Sequence, residues 1–412
     1  MASYIGIGVM SGSSLDGVDV CCVEFTGDVV TDIWSHRIIK ATTVSYPPSW
    51  IKKLRNAPDN SGIDLIKLNI DYGHYIGKLV NNFIDEGNLK VNFVAAHGHT
   101  IFHQPEQGFT FQIGDGETMA THLPCPLVVN FRNKDVALSG QGAPLVPGGE
   151  RYLFNDYDLC LNLGGIANVS ICERGFDVGP CNMLLNHLAE RHDSLMEYDT
   201  DGLVARRGTM CRDLLAELDA LPFYELRPPK SLGREWFDDN VLPVLDRHKD
   251  VSTEDLLRTC TEHVARQTAR AIDRELKPSG DVHNGVSTTH EPLSLLLTGG
   301  GALNVFLVER LREALKECHV DVSVTEVDDD TINYKEAIVF SFLGLRCLLG
   351  LVNVRRDTTG ATRDSVSGSI HLPPGGVPLS CPAMQEYRFH LSRSGGGSDE
   401  AYRSYPRSNS IC

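Results

Sequence analysis

The feature that most constrains this chain is a pattern that occurs twice: an apolar strand, a glycine turn, and a second apolar strand. The first copy is Tyr4–Val9, the turn Met10–Gly17, and Val18–Phe25; the second is Asp158–Leu163, Gly164-Gly165 and Ile166–Cys172. β-branched and apolar residues fill the strand positions. The copies start about 155 residues apart, too far for a solenoid repeat. The recurrence predicts two duplicated α/β domains, each carrying a phosphate-type loop at its first hairpin. A length of 412 residues also suggests two cores rather than one.

Between and beyond the two copies the pattern alternates helix and strand. Apolar residues at steps of three and four (Ile63, Ile66, Ile70, Ile76, Leu79, Val80, Phe83) predict a helix over Ile63–Glu86. A buried-type strand, Val91–Ala96, runs into His97-Gly98-His99-Thr100. Further helices are expected at Met183–His192, Cys211–Leu218, Ser252–Leu276, Ala302–Lys316 and Tyr334–Leu349. A polar break, Pro278–Pro292, precedes the strand Leu293–Leu297 and reads as a surface loop. Residues 373–412 are rich in Pro, Gly, Ser and Arg without apolar periodicity, which predicts a disordered tail.

Charge and cysteine usage narrow the function. A formal charge of -16 with no basic run argues against nucleic acid as a partner. The N-terminus lacks a basic flank and long apolar run, and no stretch reaches the roughly 18 apolar residues of a membrane helix. The twelve cysteines form no zinc-type spacing, so reduced thiols and a cytoplasmic location are expected.

The segments that carry chemistry are glycine-rich or polar and sit at strand ends. Gly12, Ser13, Ser14, Leu15, Asp16, Gly17, Val18 and Asp19 form an ordered turn whose amides and hydroxyls suit an anion, with Asp16 and Asp19 able to position Mg²⁺ or its waters. The neighbouring Gly6-x-Gly8 half-matches a dinucleotide fingerprint, but that fingerprint needs a helix next, and Val18–Phe25 reads as a strand. Neither a P-loop nor a protein-kinase signature is present. Gly164 and Gly165 could clamp a triphosphate from the other side, although a plain tight hairpin would look the same. Gly299, Gly300 and Gly301, followed by Asn304, clear a surface at a strand end where a flat adenosine could lie. Asp177, in Gly175–Asn182, is expected on a rigid Gly/Pro-bounded turn, either as a general base or as a helix cap. His97, Thr100, Arg132 and Asp135 supply the polar groups a hydroxyl-rich ligand wants. His97 and His103 lack a third ligand at metal spacing, and no metal-coordinating set is assigned.

In sequence order, VMSGSSLDGVD, HGHTIFHQP, QIGDGE, FRNKD, GQGAPLVP, LNLGGIANV, GFDVGPCNMLLN, DGLVARRG, PPKSLGREWF and LLTGGGALN resemble the anhydro-N-acetylmuramic acid kinase family over residues 4 to 372. The resemblance implies two duplicated actin-like ATPase (RNase H-like) α/β domains flanking a cleft. The expected division is 1–131 plus 341–372 and 132–340. It implies ATP and Mg²⁺ as cofactors, a 1,6-anhydro sugar opened by water and phosphorylated on O6, and a homodimer. It places the ATP loop on Gly12–Asp19, the catalytic aspartate on Asp177, and a late family glutamate on Glu336. Three departures stand out: His99 for the usual glutamine, Val178 for threonine, and Cys181 for glycine. A second reading is therefore carried, a catalytically weak ATP- and sugar-binding sensor or scaffold, favoured by the lost hydroxyl at 178.

Overall fold

A computed structural model describes residues 1–12, 15, 17–171, 174–277, 292–325 and 327–376. Thirteen strands are present among them. They are β1 (Ala2–Met10), β2 (Gly17–Asp28), β3 (Ile33–Ser45), β4 (Phe93–Ala96), β5 (His99–Gln104), β6 (Phe109–Ile113) and β7 (Leu127–Val129). The rest are β8 (Leu159–Leu163), β9 (Ile166–Ile171), β10 (Arg174–Pro180), β11 (Leu293–Thr298), β12 (Val322–Thr325) and β13 (Ser369–His371).

The predicted duplication is visible in the strand order. The first sheet runs β13-β7-β4-β1-β2-β3 and the second β10-β9-β8-β11-β12. In each, an antiparallel three-strand meander (β1–β3, β8–β10) is extended from its first strand by parallel strands: β4 then β7, and β11 then β12. Two sheets with one shared order and orientation are the duplicated α/β architecture the resemblance implies.

Alternation along β1 and β2 shows why both faces of the first sheet are buried. Cys21, Val23 and Phe25 enter one core, while Val18, Val20 and Cys22 enter another on the opposite face. The second of these cores holds the amphipathic helix α1 (Gly62–Gly87) through Leu68, Ile76, Val80 and Phe83. Its start is capped by Ser61, whose Oγ accepts from the Asp64 amide at 3.2 Å. The short helix α2 (Pro147–Leu153) packs on the first of them. Helices α3 (Asn182–His192), α4 (Thr253–Leu276) and α5 (Val305–Glu317) cover the second sheet, with Leu159, Leu161, Leu163, Leu295 and Leu297 beneath them.

Helix α6 (Asp329–Leu348) is buried almost all round from Ala337 to Leu348, which is why that stretch is apolar except for Ser341 and Arg346, the latter paired with Asp32. Phe340, Phe342 and Leu345 share a core with β2 on one side and with Cys160 of β8 and Leu296 of β11 on the other. Gly8 makes this packing possible, because a Cβ there would lie 1.8 Å from the Ala337 carbonyl oxygen. The helix runs unbroken through residue 340.

Several of the thirteen strands were not anticipated, β3 and β10 among them. β3 pairs with β2 along its whole length, but as an edge strand bearing His36, Arg37 and Lys40 it lacks a clean apolar stripe. β10 contains Gly175, Asp177, Gly179 and Pro180, a composition that reads as a turn; its place at the sheet edge is where a strand tolerates proline. The predicted loop at 278–291 and the tail from 377 onward lie outside the described residues.

Candidate active site

The clearest group is Asp177, in a strand rather than on the expected turn. Asp177 pairs with Asn168 of β9, and the register then slips, so that Val178 has no partner opposite it. Such a bulge re-aims neighbouring side chains. The Asp177 carboxylate is 6% exposed. Its Oδ2 accepts from the Leu232 amide at 3.0 Å, and its own amide donates to the Lys230 carbonyl at 3.1 Å. Burial pushes its pKa up to about 7, and Glu336 adds to this, while the Leu232 hydrogen bond, Arg132 and Lys230 hold it back. A buried carboxyl titrating near neutrality is what a general base needs.

Arg132 follows β7 and reaches toward the same region. Its Nε donates to His97 Nε2 at 2.8 Å and its Nη1 to the Gly142 carbonyl at 2.7 Å. Because Nε2 of His97 is the acceptor, the ring proton is on Nδ1, which donates to the Gly98 carbonyl at 3.0 Å. His97 is therefore a neutral prop for the guanidinium. Its pKa is driven well below the usual value by burial and by Arg132, and its ring packs 4.7 Å from Phe340.

Asp135 is fully buried, with both oxygens taken: Oδ1 accepts from Thr359 Oγ1 at 2.6 Å and Oδ2 from the Gly142 amide at 2.8 Å. It pins the loop whose carbonyl receives Arg132, one step removed from a direct sugar contact. Thr100 Oγ1 accepts from Gln112 at 3.3 Å. His99 turns to the other side, its Nδ1 2.9 Å from Ser11 Oγ, which in turn lies 2.7 Å from Tyr46 Oη. Tyr46 continues to Tyr72 Oη at 2.6 Å. The first loop is thus anchored at Ser11 by the residue that departs from the family pattern.

The second half contributes at the carboxyl ends of β8 and β11, where ligands of α/β sheets gather. Asn162 Nδ2 donates to Glu336 Oε1 at 2.7 Å, joining β8 to α6. Burial raises the Glu336 pKa, opposed by Lys335 and Arg132. The Gly164 and Gly165 carbonyls accept the amides of Asn182, Cys181 and Met183, satisfying the orphan donors that open α3. Cys181 itself has a negative φ of -121°, so no glycine is required there.

The three glycines after β11 divide by role. A Cβ on Gly299 (φ 81°) would lie 2.5 Å from Asn162 Oδ1, and one on Gly301 2.7 Å from Leu163 Cβ. Both are demanded by the fold. A Cβ on Gly300 would meet nothing nearer than 3.5 Å, so its bareness leaves room for something else. Asn304 caps α5, its Oδ1 accepting from the Leu307 amide at 3.0 Å.

In the first loop, Ser13, Ser14 and Asp16 lie outside the described residues. Leu15 adopts φ 61°, unusual for its type. Val18 is buried in the core, so it can offer a ligand only backbone. Asp19 Oδ1 accepts from Thr43 Oγ1 at 2.6 Å. Among the described residues no cluster of three or more His, Cys, Asp or Glu is gathered for a metal, and no helix is long and apolar enough to cross a membrane.

Three contributors escaped the sequence reading: Asn162, the Ser11–Tyr46–Tyr72 chain, and Lys230–Leu232. All but Tyr46 and Tyr72 sit inside motifs already singled out, among them Pro228-Pro229-Lys230-Ser231-Leu232-Gly233, where a lysine among prolines was a signal without a role.

A family model described as anhydro-N-acetylmuramic acid kinase matches residues 3–373. Curated relatives of that name include one from Vibrio parahaemolyticus, 34% identical over 382 residues, covering 89% of this chain and 97% of the relative. Another, from Bacillus cereus, is 32% identical over 390 residues, covering 89% and 99%. Among solved structures, a ROK hexokinase from Thermus thermophilus aligns with TM-score 0.36 and 14% identity over 84% of this chain and 99% of that one. Component A of the (R)-2-hydroxyglutaryl-CoA dehydratase of Acidaminococcus fermentans aligns with TM-score 0.36 and 12% identity, over 82% and 96%.

Proposed function

The chain belongs to the anhydro-N-acetylmuramic acid kinase family, and from that premise we propose the following reaction. The protein is an ATP-dependent kinase that opens the 1,6-anhydro bridge of an anhydro-N-acetylmuramate-like sugar with water and phosphorylates O6. The observation that carries this reading is Asp177: buried, doubly tied to residues 230–232, and titrating near pH 7.

A 1,6-anhydro sugar has no free O6 hydroxyl, so a base has nothing to take from it. Water must attack C1 instead. Asp177 accepts the water's proton as the new C1–O bond forms and the C1–O6 bond breaks. The electron pair released on O6 attacks the γ-phosphorus, and ADP departs as the β,γ-bridging bond breaks. Phosphoryl transfer otherwise needs positioned phosphates and fixed positive charge. Arg132, braced by His97 and Gly142, is the cation on the first-sheet side.

We assign the nucleotide to the loop Gly12–Asp19, to Gly164-Gly165, and to the face left bare by Gly300. The sugar is assigned to the His97, Thr100, Arg132 and Glu336 side, with Asp135 acting through Gly142. Mg²⁺ bound to the phosphates needs only one or two protein carboxylates, and Asp16 and Asp19 are the candidates beside the loop. We place the division at 1–131 plus 341–372 against 132–340, and expect a cytoplasmic homodimer. Against the weak-sensor reading stand the retained Asp177 and the glycine loops, and Val178 is packed in the core of the second sheet.

Turnover in ¹⁸O-labelled water tests the reaction. The sugar 6-phosphate should carry label at the anomeric hydroxyl and none in the phosphate. Label in the phosphate would mean that water attacks phosphorus, and the protein would be an ATPase with a sugar ligand.

A further inference from the structure

Lys230 is a buried ammonium, 7% exposed, with no carboxylate in ion-pair contact among the described residues. Its Nζ donates to the Phe223 carbonyl at 3.1 Å and sits 4.4 Å from the Phe223 ring centroid and 6.0 Å from that of Phe176. Burying a charge in this way is costly, and a neutral side chain would fill the space more cheaply. The two residues that follow also point at the site. Ser231 Oγ donates to Gln141 Oε1 at 3.3 Å and lies 3.4 Å from His103 Nε2, so it meets two segments of the first half of the chain. The Leu232 amide holds Asp177 Oδ2, and the Lys230 carbonyl holds the Asp177 amide.

We propose that Lys230, Ser231 and Leu232 form a positioning strap for Asp177. The Leu232 amide fixes the carboxylate, the Ser231 hydroxyl ties the strap across to Gln141 and His103, and the Lys230 ammonium keeps the buried carboxylate ionised and ready to accept a proton. This rests on the reading of Asp177 as the base.

The charges around the pair make the direction definite. Burial is the largest influence on Asp177 and opposes its ionised form, as does Glu336, while the Leu232 amide and then the charges of Arg132 and Lys230 favour it. Lys230 faces Asp177, Glu225 and Glu275, which favour its charge, and Arg274, which opposes it; burial is the largest influence and lowers it to about 8. Removing the ammonium therefore destabilises the Asp177 carboxylate and raises its pKa further.

The test is the acid limb of kcat/KM against pH, measured with ATP and an anhydro sugar on the full chain. Lys230→Met should move that limb to higher pH by at least about half a unit, so that activity below the limb falls at least about threefold. Lys230→Arg, which keeps the charge, should restore it. Lys230→Gln serves as the uncharged variant if the methionine protein does not fold, with circular dichroism as the check. A limb that stays in place in the uncharged variant, or moves equally in the arginine variant, overturns the proposal. Asp177→Asn separates the two readings. If it is inactive while the limb stays put, only the strap fails; if it remains active, the assignment of the base fails.

Discussion

At the scale of single residues, the candidate site buries ionisable groups away from bulk solvent, and the signs of the resulting shifts can be checked. As the proposed base Asp177 would act only when ionised, so kcat/KM should rise with pH to a half-maximal value near pH 7. Asp177→Asn should lower turnover by roughly 10²–10⁴-fold while leaving nucleotide binding intact, read by steady-state kinetics and by titration calorimetry. For stability, a pKa raised in the folded state is favourable at low pH and lost as pH rises through about 4 to 7. The buried histidines act the other way. His99 and His103 are both pushed from 6.5 to about 4, chiefly by burial, so the stability they confer is present above pH 6.5 and lost as pH falls toward 4. A shift of that size is worth on the order of 3 kcal/mol. His99→Gln keeps an acceptor for Ser11 without the titration. Its urea midpoint should therefore match that of the wild type at pH 7 and exceed it at pH 4.5.

At the scale of elements, some glycines mark where backbones meet and others leave open space, and the two kinds respond differently to bulk. Gly8→Ala would drive a methyl into the Ala337 carbonyl, where neither β1 nor α6 can yield without the core following. A loss of roughly 1–3 kcal/mol in unfolding free energy is expected, read by denaturant titration. A Cβ at Gly300 meets no protein atom nearer than 3.5 Å, so Gly300→Val should melt close to the wild type but bind ATP much more weakly. Unchanged ATP affinity in that variant would remove the adenosine from the loop after β11. The longest helices were legible in the sequence because their caps and periods are local, as Ser61 and Ser252 illustrate, whereas short ones such as α2 were not. β10 was not, since Gly, Asp and Pro in one strand are tolerated only because it is an edge with a bulge.

At the scale of the whole molecule, α6 joins the two sheets, with Phe340 and Ile338 sharing a core with β-strands of both. The Lys335–Glu150 contact at 2.6 Å is buried beside that core. Breaking it at one end leaves an unpaired buried charge, so Lys335→Met should cost about 3–5 kcal/mol, whereas replacing both partners with apolar residues should cost far less. Paired single and double variants in urea denaturation would show this. Residues 373–412, nearly all beyond the matched span, should be dispensable. Truncation after Leu372 keeps His371, which bonds Glu117 at 2.8 Å, and should leave melting temperature and turnover unchanged. A fall of several degrees would show that the tail packs against the body.

The sequence by itself determined the repeated hairpin, the buried and strongly apolar last helix, the glycine loops and the candidacy of Asp177. All of these are written in residues a few positions apart, through periods of 2 and 3.6 and through residues that lack a Cβ. Tertiary structure alone decided what surrounds them. Asn162 meets Glu336 across 174 positions, Leu232 meets Asp177 across 55, and Ser231 meets His103 across 128. No local pattern encodes those distances. The pKa of Asp177 belongs to the same class, because desolvation is set by every atom packed around the carboxylate and by none of its neighbours in the chain in particular.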